Sequence, residues 1–146
     1  MPDRLRRPGL RPRRLAGLAA FLKQYPTLLD SGTVTDSVGF GFVDRDKFRE
    51  IFAADVERTE ARVMAATQKP IFGAIFGQST AAAAWKNIPS WYLVTTKDHA
   101  INPDLERLYA KRIGATTVEV ASSHAVFVAH PHAVVKLIEQ AAQAVR

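Results

Sequence analysis

Asp98 and His124 are the two residues whose types and spacing could do chemistry together. Asp98 follows the β-prone run Trp91-Tyr92-Leu93-Val94-Thr95, and His124 follows the shorter run Thr116-Thr117-Val118-Glu119-Val120. A carboxylate beside an imidazole fixes which ring nitrogen keeps its proton and stabilises the imidazolium formed when the other nitrogen takes one. Such a couple is the base half of a nucleophile–base–acid assembly. Whether the two meet depends on the elements that carry them. The continuous apolar run before Asp98 reads as a strand buried on both faces. Asn102 is suited to cap a helix, with Pro103 at its first position. Leu105, Leu108, Tyr109 and Arg112 then recur at helical spacing, and Gly114 closes the helix. Residues 88–120 therefore read as a strand–helix–strand unit, with parallel strands and a right-handed crossover. Parallel strands put both carboxyl ends on one sheet edge, the edge where ligands of open α/β sheets bind. On the residues alone, a surface aspartate and a turn-capping histidine remain the alternative.

Other side chains compete for the same roles. Asp104 is a rival acid, but it falls in the first turn of a helix, where a carboxylate has a structural use. Gly77-Gln78-Ser79-Thr80-Ala81 imitates a nucleophile elbow with its last glycine replaced, and gives the order Ser79, Asp98, His124. It leaves room for only one short strand between Ser79 and Asp98. Ser123 adjoins His124, yet in an extended backbone its side chain points away from the imidazole and would bond within the loop. His99, His124, His130 and His132 fall on separate loops and a helix start, with no helical histidine pair and carboxylate, so no metal is expected. No G-x-G-x-x-G follows a strand, and no cofactor is expected.

Several segments resemble the bacterial α/β-hydrolases of the small esterase type. Trp85-Lys86-Asn87-Ile88-Pro89-Ser90-Trp91-Tyr92-Leu93-Val94 is similar to the segment that enters the family's acid-bearing strand. Asp98-His99-Ala100-Ile101-Asn102-Pro103-Asp104 looks like its acid loop, and Ser122-Ser123-His124-Ala125-Val126-Phe127-Val128 like its histidine loop. Ala110-Lys111-Arg112, residues 114–120 and His130-Pro131 continue the resemblance. Weaker similarity reaches back through residues 44–68, which would form a cap over the site, and to residues 15–26. The resemblance implies Asp98 as the triad acid and His124 as the base. It suggests Phe48, Phe52, Met64 and Trp85 as an apolar pocket under the cap, although helical spacing explains them as core residues too. The activity implied is hydrolysis of a carboxylic ester or similar acyl bond in a small molecule. One departure stands out: the family's nucleophile sits on a strand-to-helix elbow, usually G-x-S-x-G, and no such sequence precedes the cap segment.

The fold class expected is α/β, a partial α/β-hydrolase fold of parallel strands with flanking helices and a small helical cap. Residues 1–14 form a basic arm, expected to be disordered. Residues 15–87 hold a remnant segment and the cap, and residues 88–146 the carboxyl-terminal βαβα part of the core. Within the middle part, residues 15–25 read as a short helix stopped by Pro26. Residues 28–42 read as loop with a short hairpin near Gly39 and Gly41. Residues 44–55 and 58–68 read as helices, 71–76 is ambiguous, and 81–86 is a turn or two of helix. The last helix starts at Pro131, with Val134, Val135, Ile138 and Ala142 as its apolar stripe.

Composition sets the outer limits. The 146 residues, 47% hydrophobic, suit one globular domain, and no apolar run is long enough to cross a membrane. There is no cysteine, which excludes disulfides and thiolate metal sites and suits a cytoplasmic location. The net charge of +6 is concentrated in Arg4, Arg6, Arg7, Arg11, Arg13 and Arg14, interleaved with prolines. Without stacking aromatics, that arm is a poor nucleic-acid ligand. Three readings follow: a hydrolase fragment inactive alone, one half of a split hydrolase completed by another chain, or a non-catalytic protein whose arm binds acidic partners. If central strands are missing, the remaining edges favour a homodimer or a complementary chain.

Overall fold

The computed structural model describes residues 20–21, 23–78 and 82–145. The basic arm and most of the first expected helix therefore lie outside the described residues, as does Ser79.

The first half begins with a helical turn, α1 (Leu29–Gly32), followed by strands β1 (Thr33–Thr35) and β2 (Phe40–Val43). The two strands form an antiparallel hairpin, and β3 (Ile71–Phe72) joins the far side of β2. Asp36 makes the turn: its carboxylate accepts from the amides of Val38 and Phe40 at 2.9 and 2.8 Å. Gly39 beside it has φ +93°, a left-handed conformation that glycine adopts without steric penalty. The short hairpin expected near Gly39 and Gly41 is thus present, its two strands joined by an aspartate-based turn.

Helices α2 (Phe48–Phe52) and α3 (Arg58–Thr67) follow. The first is shorter than the 44–55 helix expected. The Asp44 carboxylate accepts from the Asp46 amide at 2.9 Å and holds the preceding residues in a turn instead. Glu57 caps α3, accepting from Thr59 and Glu60 amides at 2.7 and 3.1 Å. Ala61 and Ala65 let α3 lie close against Phe48, Ala53 and Val56, and Ala125 of the second half joins the same core. The Gln68 amide both accepts from and donates to the Val43 backbone, at 2.9 and 2.8 Å, fastening the end of α3 to the hairpin.

The second half is the expected unit. Strand β4 (Trp91–Thr95) runs parallel to β5 (Thr116–Val120), with Trp91 opposite Thr116 and Thr95 opposite Val120. Between them lies α4 (Pro103–Arg112), capped by the Asn102 side chain on the Asp104 amide at 3.0 Å and ended near Gly114, whose φ is +65°. Short α5 (Val126–Ala129) and the final α6 (Pro131–Ala144) complete it.

Burial departs from expectation in three places. Only Val94 and Thr95 of β4 are buried, and four of the five β5 residues are exposed, because this sheet has two strands among the described residues. The buried face of α4 is Leu105, Glu106 and Ala110, with Leu108 and Arg112 exposed. Helix α6 packs against α5 and β4 with no fully buried residue; Val134 is half-buried, while Val135, Ile138 and Ala142 of the expected stripe are exposed. No helix among the described residues is long and apolar enough to cross a membrane.

Candidate functional site

The parallel register places Asp98 and His124 just beyond the carboxyl ends of adjacent strands. The Thr96 and Lys97 amides donate to Val120 and Ser122 carbonyls at 2.9 and 3.1 Å, which carries the pairing into both loops. The Asp98 side chain is fully buried. Its Oδ1 accepts from the amides of Ala100 and Ile101 at 2.7 and 2.9 Å. Its Oδ2 accepts from the Thr95 hydroxyl at 2.9 Å and lies 2.7 Å from His124 Nδ1. Burial pulls the Asp98 pKa up, but the hydrogen bonds from His124 and Ile101, the His124 charge and the Ala100 amide outweigh it, and the carboxyl is held below the ordinary aspartate value.

A carboxylate so surrounded can only accept, so Nδ1 must carry the proton whenever the His124 ring is neutral. That leaves Nε2 with a free lone pair, and Nε2 meets no hydrogen-bond partner among the described residues. The imidazole is 28% exposed and packs against the Phe52 ring, centroids 4.4 Å apart. It opens onto a cavity of about 820 Å³ walled mainly by apolar side chains. Phe48, Phe52 and Met64 line that cavity, together with Phe42 and Val43 of the hairpin and Ile101 of the acid loop. Trp85, expected in the same wall, is elsewhere: it is 41% exposed and borders a separate depression with Lys86, Lys111 and Arg112. Its place in the chain, on a short turn before β4, keeps it at the opposite end of the strand from Asp98.

Asp104, the rival acid, is exposed and ion-pairs with Arg107 at 2.8 Å in the first turn of α4. His99 Nδ1 contacts the Glu50 carbonyl at 3.0 Å, and His130 Nε2 lies 3.4 Å from Asp55. Among the described residues no three histidine or acidic side chains converge as a metal site.

Two polar groups around the site were not anticipated. Asp55, in the turn between α2 and α3, accepts from Ser122 Oγ at 2.7 Å, from the Ser123 amide at 3.1 Å and from Ser123 Oγ. Burial raises its pKa, but the serine hydroxyls outweigh burial and it too sits below the ordinary value. Ser123 thus turns away from His124 and bonds the cap, also reaching the Phe52 carbonyl at 3.3 Å. Glu106, behind Asp98, accepts from the Thr95 amide at 2.8 Å, and its pKa is raised, by burial first, with the Asp98 charge adding to it. Its signal lay in the sequence: Glu106, Tyr109 and Ala110 share one face of α4, and a carboxylate on a face that packs against a strand has a partner to find.

The family model described as alpha/beta hydrolase family matches residues 2–137. The match takes in the basic segment as well as the cap and the strand–helix–strand unit. No curated protein matches the chain.

Proposed function

Since this chain belongs to the alpha/beta hydrolase family, we propose that it supplies the base and the acid of a Ser-His-Asp site that hydrolyses small carboxylic esters. The observation that carries the reading is the 2.7 Å contact between Asp98 Oδ2 and His124 Nδ1, in a histidine that lines the apolar cavity. In such a site Nε2 takes the proton of a serine hydroxyl as the serine oxygen attacks the acyl carbon. The imidazolium, held by Asp98, then returns that proton to the departing alcohol oxygen. Water repeats the cycle on the acyl-enzyme. The apolar walls of the cavity suit an acyl chain rather than a charged group.

The serine comes from outside this sequence, because no G-x-S-x-G occurs in it. The exposed faces of β5 and α6 and the two-stranded extent of the parallel sheet support a complementary polypeptide along its edge. The chain alone should therefore turn over short activated esters no faster than its His124→Ala variant. Co-expressed with a polypeptide encoded immediately upstream that carries G-x-S-x-G, it should gain turnover, which His124→Ala and Asp98→Ala remove. Hydrolysis by the chain alone that disappears in Ser79→Ala would overturn the assignment and make Ser79 the nucleophile. Absence of any hydrolase sequence upstream would overturn the shared site.

A further inference from the structure

Behind Asp98 stands a second buried carboxyl that the proposed chemistry does not use. Glu106 is 5% exposed, and no Lys, Arg or His among the described residues forms an ion pair with it. It is separated from Asp98 by one side chain, that of Thr95, itself 3% exposed. The Thr95 hydroxyl lies 2.9 Å from Asp98 Oδ2, 3.2 Å from Glu106 Oε1 and 3.4 Å from Glu106 Oε2.

A hydroxyl carries one proton and cannot donate to both carboxyls. Asp98 has the stronger claim, since its oxygens already collect the Ala100 and Ile101 amides and face His124 Nδ1. With Glu106 ionised as well, a second buried anion would stand beside the first, and the Thr95 amide would be the one donor pointed only at it. A proton on Glu106 Oε1 satisfies every atom. Oε1–H donates to Thr95 Oγ1, the Thr95 hydroxyl donates to Asp98 Oδ2, and Oε2 accepts from the Thr95 amide.

We infer that Glu106 is a protonated positioning residue, which fixes the Thr95 hydroxyl as a donor and thereby holds Asp98 as an ionised acceptor facing His124. Its value to the reaction rests on the roles proposed above for Asp98 and His124. The chain of bonds runs from α4 through β4 to the acid loop, so the acid is oriented from behind as well as from its own turn. The titratable groups that face Glu106 are Asp98 from the β4–α4 loop, His124 from the β5–α5 loop and Tyr92 from β4. Burial favours the protonated form, the Thr95 amide opposes it, and the Asp98 charge favours it again.

Carbon-13 NMR of the side-chain carboxyls of the full chain tests this without any need for turnover, with the Glu106 resonance assigned by its loss in Glu106→Gln. The Glu106 carboxyl should keep its proton at neutral pH, well above the ordinary glutamate value of 4.5. A Glu106 carboxyl that is ionised at neutral pH overturns the inference. A second measurement follows urea unfolding against pH. Gln has the shape and neutrality of the protonated acid, so the stability of Glu106→Gln relative to the unsubstituted chain should rise with pH. A relative stability that falls as pH rises would mean an ionised native Glu106 and would overturn the inference. Should the variant not fold, sequential assignment of the unsubstituted chain identifies the Glu106 resonance, and its titration decides alone. Failure of the hydrolase reading would show in ester turnover and leave both measurements untouched.

Discussion

Two aspartates hold the loop that carries His124, and they hold it from opposite sides. Asp98 reaches the imidazole itself from the strand edge, with its side chain fully buried. Asp55 reaches the two serines before the imidazole from the cap, with its side chain 29% exposed. Both carboxyls are held below the ordinary aspartate value, by different donors: an imidazole and loop amides in one case, serine hydroxyls in the other. The difference separates two tasks that a histidine loop must combine. Asp98 sets the tautomer of the ring, whereas Asp55 sets where the backbone presents it. A shift in depressed pKa is therefore no guide by itself to which carboxylate does chemistry.

Substitution is the sharpest way to break this distinction. Asp98→Ala strips acceptors from the Thr95 hydroxyl and the Ala100 and Ile101 amides. It should lower the unfolding free energy by about 3 kcal/mol, since each buried donor left unpaired is destabilising. Urea denaturation at neutral pH measures it. Asp55→Ala opens a partly exposed position from which water can take the place of the carboxylate on the buried serines, and should lose about 1–2 kcal/mol in the same assay. Equal losses, or a larger one at Asp55, would show that the cap contact is the main support of the loop.

The smallest effect is in pH dependence, and it has two signs. The folded pKa values of Asp98 and Asp55 lie below their ordinary value of 3.8. Their contribution is complete above that value and is lost as pH falls through the folded values. Glu106 is raised above 4.5, so its contribution is complete below that value and is lost as pH rises through the folded one. Stability measured by urea midpoint should climb from the acid side, and either aspartate variant should flatten that climb. An unchanged acid limb in both would mean that neither carboxylate is favoured in its charged form by folding.

The sequence shows the Asp98–His124 couple because everything that positions it is local. Trp91–Thr95 and Thr116–Val120 are β-prone runs, and the Asn102-Pro103 cap with Gly114 marks the helix between them. Both strands appear with the boundaries read from the residues, and their pairing is parallel, as the strand–helix–strand order leads one to expect. Asp55 is illegible by the same logic. Nothing near it in the chain distinguishes it from any aspartate after a short helix, and its partners Ser122 and Ser123 are 67 and 68 residues away. Glu106 fails for another reason: a glutamate in a helix is read as solvent-facing unless the face it occupies is worked out residue by residue. Trp85 misled because an aromatic beside a resembling segment suggests a wall, while the turn that carries it lies at the wrong end of β4.

The sequence separations also rank the two supports by the cost of closing them. The Asp98 bonds to the Ala100 and Ile101 amides close over two and three residues, and need only a turn to form. The Asp55 clamp must wait until distant stretches of chain have met, and each such meeting carries the loop-closure entropy of everything between. The carboxylate is thus shaped by contacts that close locally, but its bond to the ring spans 26 residues and the seating of the loop on Asp55 spans 67 and 68, so the larger loop-closure cost falls on the seating.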